Sequence, residues 1–166
     1  MPVFFAEDYD WTKLASMHEP LFHAVGSSKL RYLKMGHILF ATQSQFNELL
    51  GNCVALEVLN IDHVKIGAAT EIHSETGQEA PEKPRSKLVE LTVHTEPQSL
   101  SQIIQAFISS SSPLDVSSLI RLSLWCKCPK YRDYDLIGPV CSLLRRTQCL
   151  QHLQLFACPQ VCFINM

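Results

Sequence analysis

The stretch that decides the fold is Leu119-Ile-Arg-Leu-Ser-Leu124, in which leucines stand at the first, fourth and sixth positions. The same spacing recurs four more times, with an aliphatic residue or methionine at the sixth position, in residues 30–35, 56–61, 88–93 and 150–155. Successive first leucines are 26, 32, 31 and 31 residues apart. Such even spacing indicates that one structural unit is repeated along the chain.

Each unit predicts one short β-strand, and the segments between units predict helices. Leu122 and Leu124 flank the polar Ser123, which is the two-residue period of a strand with one buried face. After three of the units the apolar period lengthens to that of a helix. The three apolar stripes are Phe46, Leu49, Leu50 and Cys53; Leu100, Ile103, Ile104, Phe107 and Ile108; and Leu136, Val140, Leu143 and Leu144.

Polar residues beside the stripes predict where two of the helices begin. Thr42 with Gln45, and Ser99 with Gln102, have the spacing of a capping box. Gly51 follows Leu50 of the first stripe and predicts the end of that helix, because glycine is common just after a helix.

Strands and helices that alternate about every 30 residues predict an α/β fold with a parallel sheet, because parallel neighbours need a crossover connection. We expect a single domain over residues 1–166, with an N-terminal cap region at 1–29. Residues 67–87 contain two prolines, two glycines and no apolar stripe. They predict an exposed loop insertion.

Composition excludes several classes of protein. The chain has 166 residues, of which 46% are hydrophobic and 18% charged, as in a globular protein. Lys and Arg total 14 against 16 for Asp and Glu, and a net charge of −2 argues against nucleic-acid and anionic-membrane partners. Seven cysteines without a disulfide-type spacing predict a reducing compartment, so we expect the cytoplasm or nucleus.

The five units resemble leucine-rich repeats, and the resemblance covers about residues 20–160. It implies a leucine-rich-repeat solenoid of about five irregular strand-helix repeats, with the parallel sheet on its concave face. The ninth position of the repeat is usually Asn or Cys in this family. Here only the last unit conforms, with Cys158.

Irregular repeats with serine-rich helix ends resemble the leucine-rich regions that follow an F-box in many proteins of mushroom-forming (basidiomycete) fungi. That resemblance implies the substrate-recognition region of an F-box type ubiquitin ligase, although no F-box motif is recognisable in this sequence. We expect a non-catalytic protein-protein interaction module, and the ligase region is the more specific alternative.

The strand alternation also predicts which side chains face a partner. Residues between the core positions form three columns across the sheet, and the third column changes character toward the last units. Aromatic rings with a nearby arginine are typical of binding hot spots. The predicted partner-binding residues are His94, Arg121, Trp125, His152 and Phe156. In the alternative interpretation, the connection at residues 126–135 covers the two large aromatic rings.

Cysteines supply the one alternative from a different class. Cys126, Cys128, Cys158 and Cys162 lie just beyond two successive strands, where they would allow a small metal-binding or thiol enzyme. Their spacing is not that of common zinc pairs, so packing is the preferred interpretation. The seven histidines form no linear metal motif. We therefore expect no enzyme activity, no cofactor and no metal.

Overall fold

The computed structural model describes residues 9–10, 29–67, 85–126 and 136–157. The fold in these segments is mixed α/β. In chain order the elements are β1 (Tyr9–Asp10), β2 (Tyr32–Gly36), β3 (Ile38–Phe40), α1 (Gln43–Gly51), β4 (Val58–Asp62), β5 (Lys65–Ile66), β6 (Ser86–Lys87), β7 (Glu90–Thr95), α2 (Pro97–Ile108), β8 (Leu114–Asp115), β9 (Arg121–Cys126), α3 (Ile137–Arg146) and β10 (His152–Ala157).

The main sheet has five parallel strands in the order β10-β9-β7-β4-β2, so each leucine unit contributes one strand. The strands pair in register, and the fourth positions of the units form one row: Leu33, Leu59, Leu91, Leu122 and Leu153. The predicted α/β class and parallel sheet are therefore confirmed. This register places the same face of every strand against the core.

The core lies between the main sheet and the helices. Phe46 of α1 and Phe107 of α2 are fully buried, and their ring centroids are 6.1 Å apart. Phe40 of β3 meets Phe46 edge-on at 5.3 Å. The apolar stripes thus face the sheet, as their period predicted. None of the helices in the described segments is long and apolar enough to cross a membrane.

The helix ends differ in part from the sequence prediction. Thr42 caps α1, since its Oγ1 accepts a hydrogen bond from the Gln45 amide at 3.2 Å, while Gln45 Oε1 accepts from the Ala41 amide at 3.0 Å. Gly51 is the last residue of α1, and Asn52 is its C-cap. A helix can include glycine at modest cost when no left-handed turn follows.

The second helix begins earlier than its predicted cap. Pro97 is its first residue and Glu96 the N-cap, so Ser99 lies inside the helix and is buried. Proline favours the first helical position because its fixed φ suits the helix and its missing N–H is not needed there.

Two short parallel sheets flank the main one, with orders β1-β3-β5 and β6-β8. The second of these corrects the predicted loop at 67–87. Ser86 is buried, pairs with Leu114, and its hydroxyl donates to the Cys53 carbonyl. Residues 68–84 lie outside the described segments, as does the N-terminal cap region apart from Tyr9–Asp10 and residue 29.

The predicted core is wrong at the last strand. Leu122 of β9 is fully buried, whereas Leu153 and Leu155 of β10 are 37% and 42% exposed. Within the described residues, β10 has a neighbouring strand, β9, on one side only. Its core-facing side chains are therefore less covered than those of β9, which lies between β7 and β10.

Candidate functional site

The open face of the main sheet carries the residues that alternate with the core. Pairing across the strands places Tyr32, Val58, Glu90, Arg121 and His152 in one row, and Gly36, Asp62, His94, Trp125 and Phe156 in another. The five predicted partner-binding residues are therefore on one face, in two rows separated by a polar one. Their grouping follows from the strand register alone.

Trp125 and Phe156 form the largest apolar feature of this face. Their rings stack with centroids 3.8 Å apart and planes inclined by 23°. They remain 40% and 45% exposed. Of the connection that the alternative placed over them, residues 127–135 lie outside the described segments.

The stacked pair continues into a row of histidines. His94 meets Trp125 edge-on at 6.3 Å, His63 lies 4.7 Å from His94, and His37 lies 5.0 Å from His63, all measured between ring centroids. We call this series the aromatic ladder, and it consists of His37, His63, His94, Trp125 and Phe156. The ladder crosses all five strands of the main sheet.

The row on the far side of the polar one provides charge. Arg121 Nη1 lies 3.3 Å from Glu90 Oε2 on the adjacent strand, and the arginine side chain is largely exposed. His152 is also exposed and pairs in register with Arg121. An exposed ion pair of this kind contributes little to stability, so Glu90 holds Arg121 only weakly.

Two histidines of the ladder and one aspartate beside them come together at the ends of β4 and β7. Asp62 Oδ1 lies 2.9 Å from His94 Nδ1 and 3.8 Å from His63 Nε2. One ligand atom from each of these residues lies within 4.8 Å of the other two. We call Asp62, His63 and His94 the Asp62 cluster. Its donor set is two imidazoles and one carboxylate, which suits a divalent transition metal.

The carboxylate of this cluster is not fully satisfied. Asp62 Oδ1 is inaccessible to solvent and accepts no hydrogen bond, although His94 Nδ1 lies 2.9 Å away. The rest of the Asp62 side chain is partly exposed. A buried carboxylate oxygen without a donor costs free energy, so this oxygen favours a cationic neighbour.

This cluster is not predictable from the linear spacing of the histidines, which form no metal motif along the chain. His37 and His63 have left-handed backbones, with φ of 54° and 50°, directly after strands β2 and β4. This turn interrupts the strand alternation, which would otherwise send Asp62 and His63 to opposite faces. A usable signal was present, since His37 and His63 are 26 residues apart, the same interval as their leucine units.

The cysteine hypothesis is only partly covered by the structure. Cys126 is buried at the end of β9, and its three proposed partners, Cys128, Cys158 and Cys162, lie outside the described segments. Burial raises the pKa of the Cys53 thiol to about 11, so this cysteine is protonated at neutral pH and is a poor nucleophile.

Compared with known proteins, the chain matches no protein-family model, no curated protein and no solved structure.

Proposed function

We propose that this chain is a non-catalytic protein-binding module built as a leucine-rich-repeat solenoid of about five irregular repeats. In this proposal the open face of the main sheet is concave and receives the partner. The support is the one-to-one match between the five leucine units and five in-register parallel strands. Stacked repeats of this kind create extended binding surfaces.

The observation that carries the binding function is the exposed stack of Trp125 on Phe156. Large aromatic residues lose little conformational entropy on binding, and most of this pair's freedom is already lost in the stack. Arg121 lies four residues before Trp125 on the same face of β9, about 13 Å away along the strand, and supplies a charge there. Tryptophan and arginine are enriched in binding hot spots.

The partner is a protein that presents an apolar side chain to the stack and a carboxylate to Arg121. Nucleic acid and anionic membranes fit poorly because the net charge is −2. We place this interaction in the cytoplasm or nucleus on the basis of the seven cysteines.

Affinity capture with matched variants tests the proposal. Immobilised wild-type chain, Trp125→Ala, Arg121→Ala and Tyr32→Ala are exposed to one native extract, and captured proteins are quantified by mass spectrometry. Tyr32 is the control, since it is a similarly exposed aromatic residue on the opposite margin of the same face. For the specific partner, purified afterwards, we expect roughly 30-fold weaker binding by the first two variants, the effect of a 2 kcal/mol hot spot.

Equal binding by all four proteins would contradict the assignment of the surface. A large loss of thermal stability in Trp125→Ala would mean that the ring serves packing instead of recognition. The F-box alternative rests on the resemblance alone, and it predicts that the captured protein, or its complex, includes a ubiquitin-ligase adaptor or a ubiquitination substrate.

A further inference from the structure

We propose that Asp62, His63 and His94 bind one divalent transition-metal ion, with Zn²⁺ as the ion that fits best. The site shares His94 with the predicted partner-binding face, but the proposal does not depend on the protein-binding function. Two imidazole nitrogens and one carboxylate oxygen are ligands that zinc accepts, and three protein ligands leave a fourth position open to solvent.

The distances in the Asp62 cluster are close to those of a metal site. With zinc bonds of about 2.0–2.1 Å, tetrahedral ligand atoms lie about 3.3 Å from one another. Asp62 Oδ1 is 2.9 Å from His94 Nδ1 and 3.8 Å from His63 Nε2. The ligand atoms of His63 and His94 lie within 4.8 Å of each other, so side-chain rotations that close this gap by up to about 1.5 Å would bring the three atoms into a coordination sphere.

A cation would also remove an electrostatic cost. Asp62 Oδ1 is buried and accepts no hydrogen bond, which is unfavourable for a carboxylate oxygen. A divalent ion between Asp62 and the two imidazoles would supply a permanent positive partner at that oxygen, which the imidazoles supply only when protonated. The unsatisfied oxygen and the distances measured from it point to the same ligand.

The backbone holds the ligands in place before any ion binds. The His63 amide donates to the His94 carbonyl at 2.7 Å, and Asp62 pairs in register with His94. The His37 ring packs beside His63 at 5.0 Å and limits its rotation. Such support from surrounding residues is what keeps metal ligands oriented.

The test is a zinc titration of chelator-washed, full-length protein against a chromophoric competitor. The ligand variants are Asp62→Asn, His94→Gln and His63→Asn, the last chosen because asparagine tolerates the left-handed backbone. His152→Gln is the control, since it removes a histidine from the same sheet face away from the cluster. We expect one zinc per wild-type chain. Each ligand variant should bind zinc at least about tenfold more weakly, because even the loss of a residue that only supports a metal ligand costs about that much affinity.

A second readout distinguishes the cluster from the cysteines and needs no variant. Co²⁺ bound to the wild-type chain should lack the near-ultraviolet thiolate charge-transfer band, and its paramagnetism should broaden the amide resonances of residues 62, 63 and 94. A thiolate band, broadening around Cys141 or Cys149, or unchanged zinc affinity in the folded ligand variants would overturn the site. No zinc binding at about 100 µM would overturn it as well.

Discussion

The Gly67 amide donates to the Phe40 carbonyl at 2.8 Å, where the chain leaves β5 and runs against the end of β3. A Cβ atom at residue 67 would lie 2.5 Å from the Ala41 carbonyl oxygen. This contact is with backbone, which cannot rotate away. Glycine is therefore required here by close approach and not by an unusual φ.

Gly67→Ala should lower the free energy of unfolding by about 1–3 kcal/mol, because the added methyl group forces the backbones apart. Gly51→Ala is the matched control, since its Cβ would make an ordinary 3.6 Å contact with Pro113. Because helices favour alanine over glycine, Gly51→Ala should raise the free energy of unfolding by as much as about 1 kcal/mol. Urea denaturation measures both, and effects of the same sign would contradict the prediction.

Equivalent leucines of the neighbouring strands β9 and β10 should contribute differently to the free energy of unfolding. Leu122→Ala should cost about 2–5 kcal/mol, because a fully buried leucine leaves a cavity. Leu153→Ala should cost less than about 1.5 kcal/mol, because its 37% exposed side chain loses less burial. Chemical denaturation of the two variants would refute this order if Leu153→Ala were the more damaging.

Cys53 should make stability depend on alkaline pH. Its pKa rises from 9.0 to about 11 on folding, so between these values the unfolded chain loses the thiol proton and the folded chain keeps it. Stability should then fall as pH rises from 9 to 11, by about 1.4 kcal/mol per unit from this group. Cys53→Ala should flatten this part of the profile measured by urea denaturation.

Thiol alkylation provides an independent check on the burial of Cys53. In the folded chain Cys141 and Cys149 are exposed and should react readily at neutral pH, while buried Cys53 should react only after unfolding. Peptide mapping after a short pulse of iodoacetamide identifies the modified sites. Rapid modification of Cys53 in the native chain would contradict its buried, protonated state.

Thr42→Ala should destabilise the chain by about 1 kcal/mol, because the first turn of α1 would lose its side-chain cap. Thr42→Ser keeps the hydroxyl and should cost only a few tenths of a kcal/mol. Thermal melts of the two variants test this. Equal losses would show that the methyl group of Thr42 matters more than its hydrogen bond to Gln45.

Much of the architecture follows from periodicity, because spacing of two and of 3.6 residues is a local property of sequence. The leucine units predicted the five strands and their pairing, and so the row that contains Trp125 and Phe156. The exposure of Leu153 was not predictable in this way, since burial depends on what covers a strand from outside its own unit.

The Asp62 cluster shows a second limit of the sequence. Strand alternation predicts that Asp62 and His63 diverge, and only the left-handed φ of His63 brings them together. No composition or linear motif encodes that turn here, because histidine is merely tolerant of this conformation. The signal present in the sequence is that His37 and His63 occupy equivalent positions after two successive leucine units.

The order of the main sheet has a kinetic consequence. Every strand pairs with the strand of the preceding or following unit, so each contact closes a loop of about 30 residues and none joins distant parts of the chain. Folding can therefore proceed by adding one strand at a time to a growing edge. Amide protons should exchange most slowly in β7, which has two strands on either side, and progressively faster toward β2 and β10.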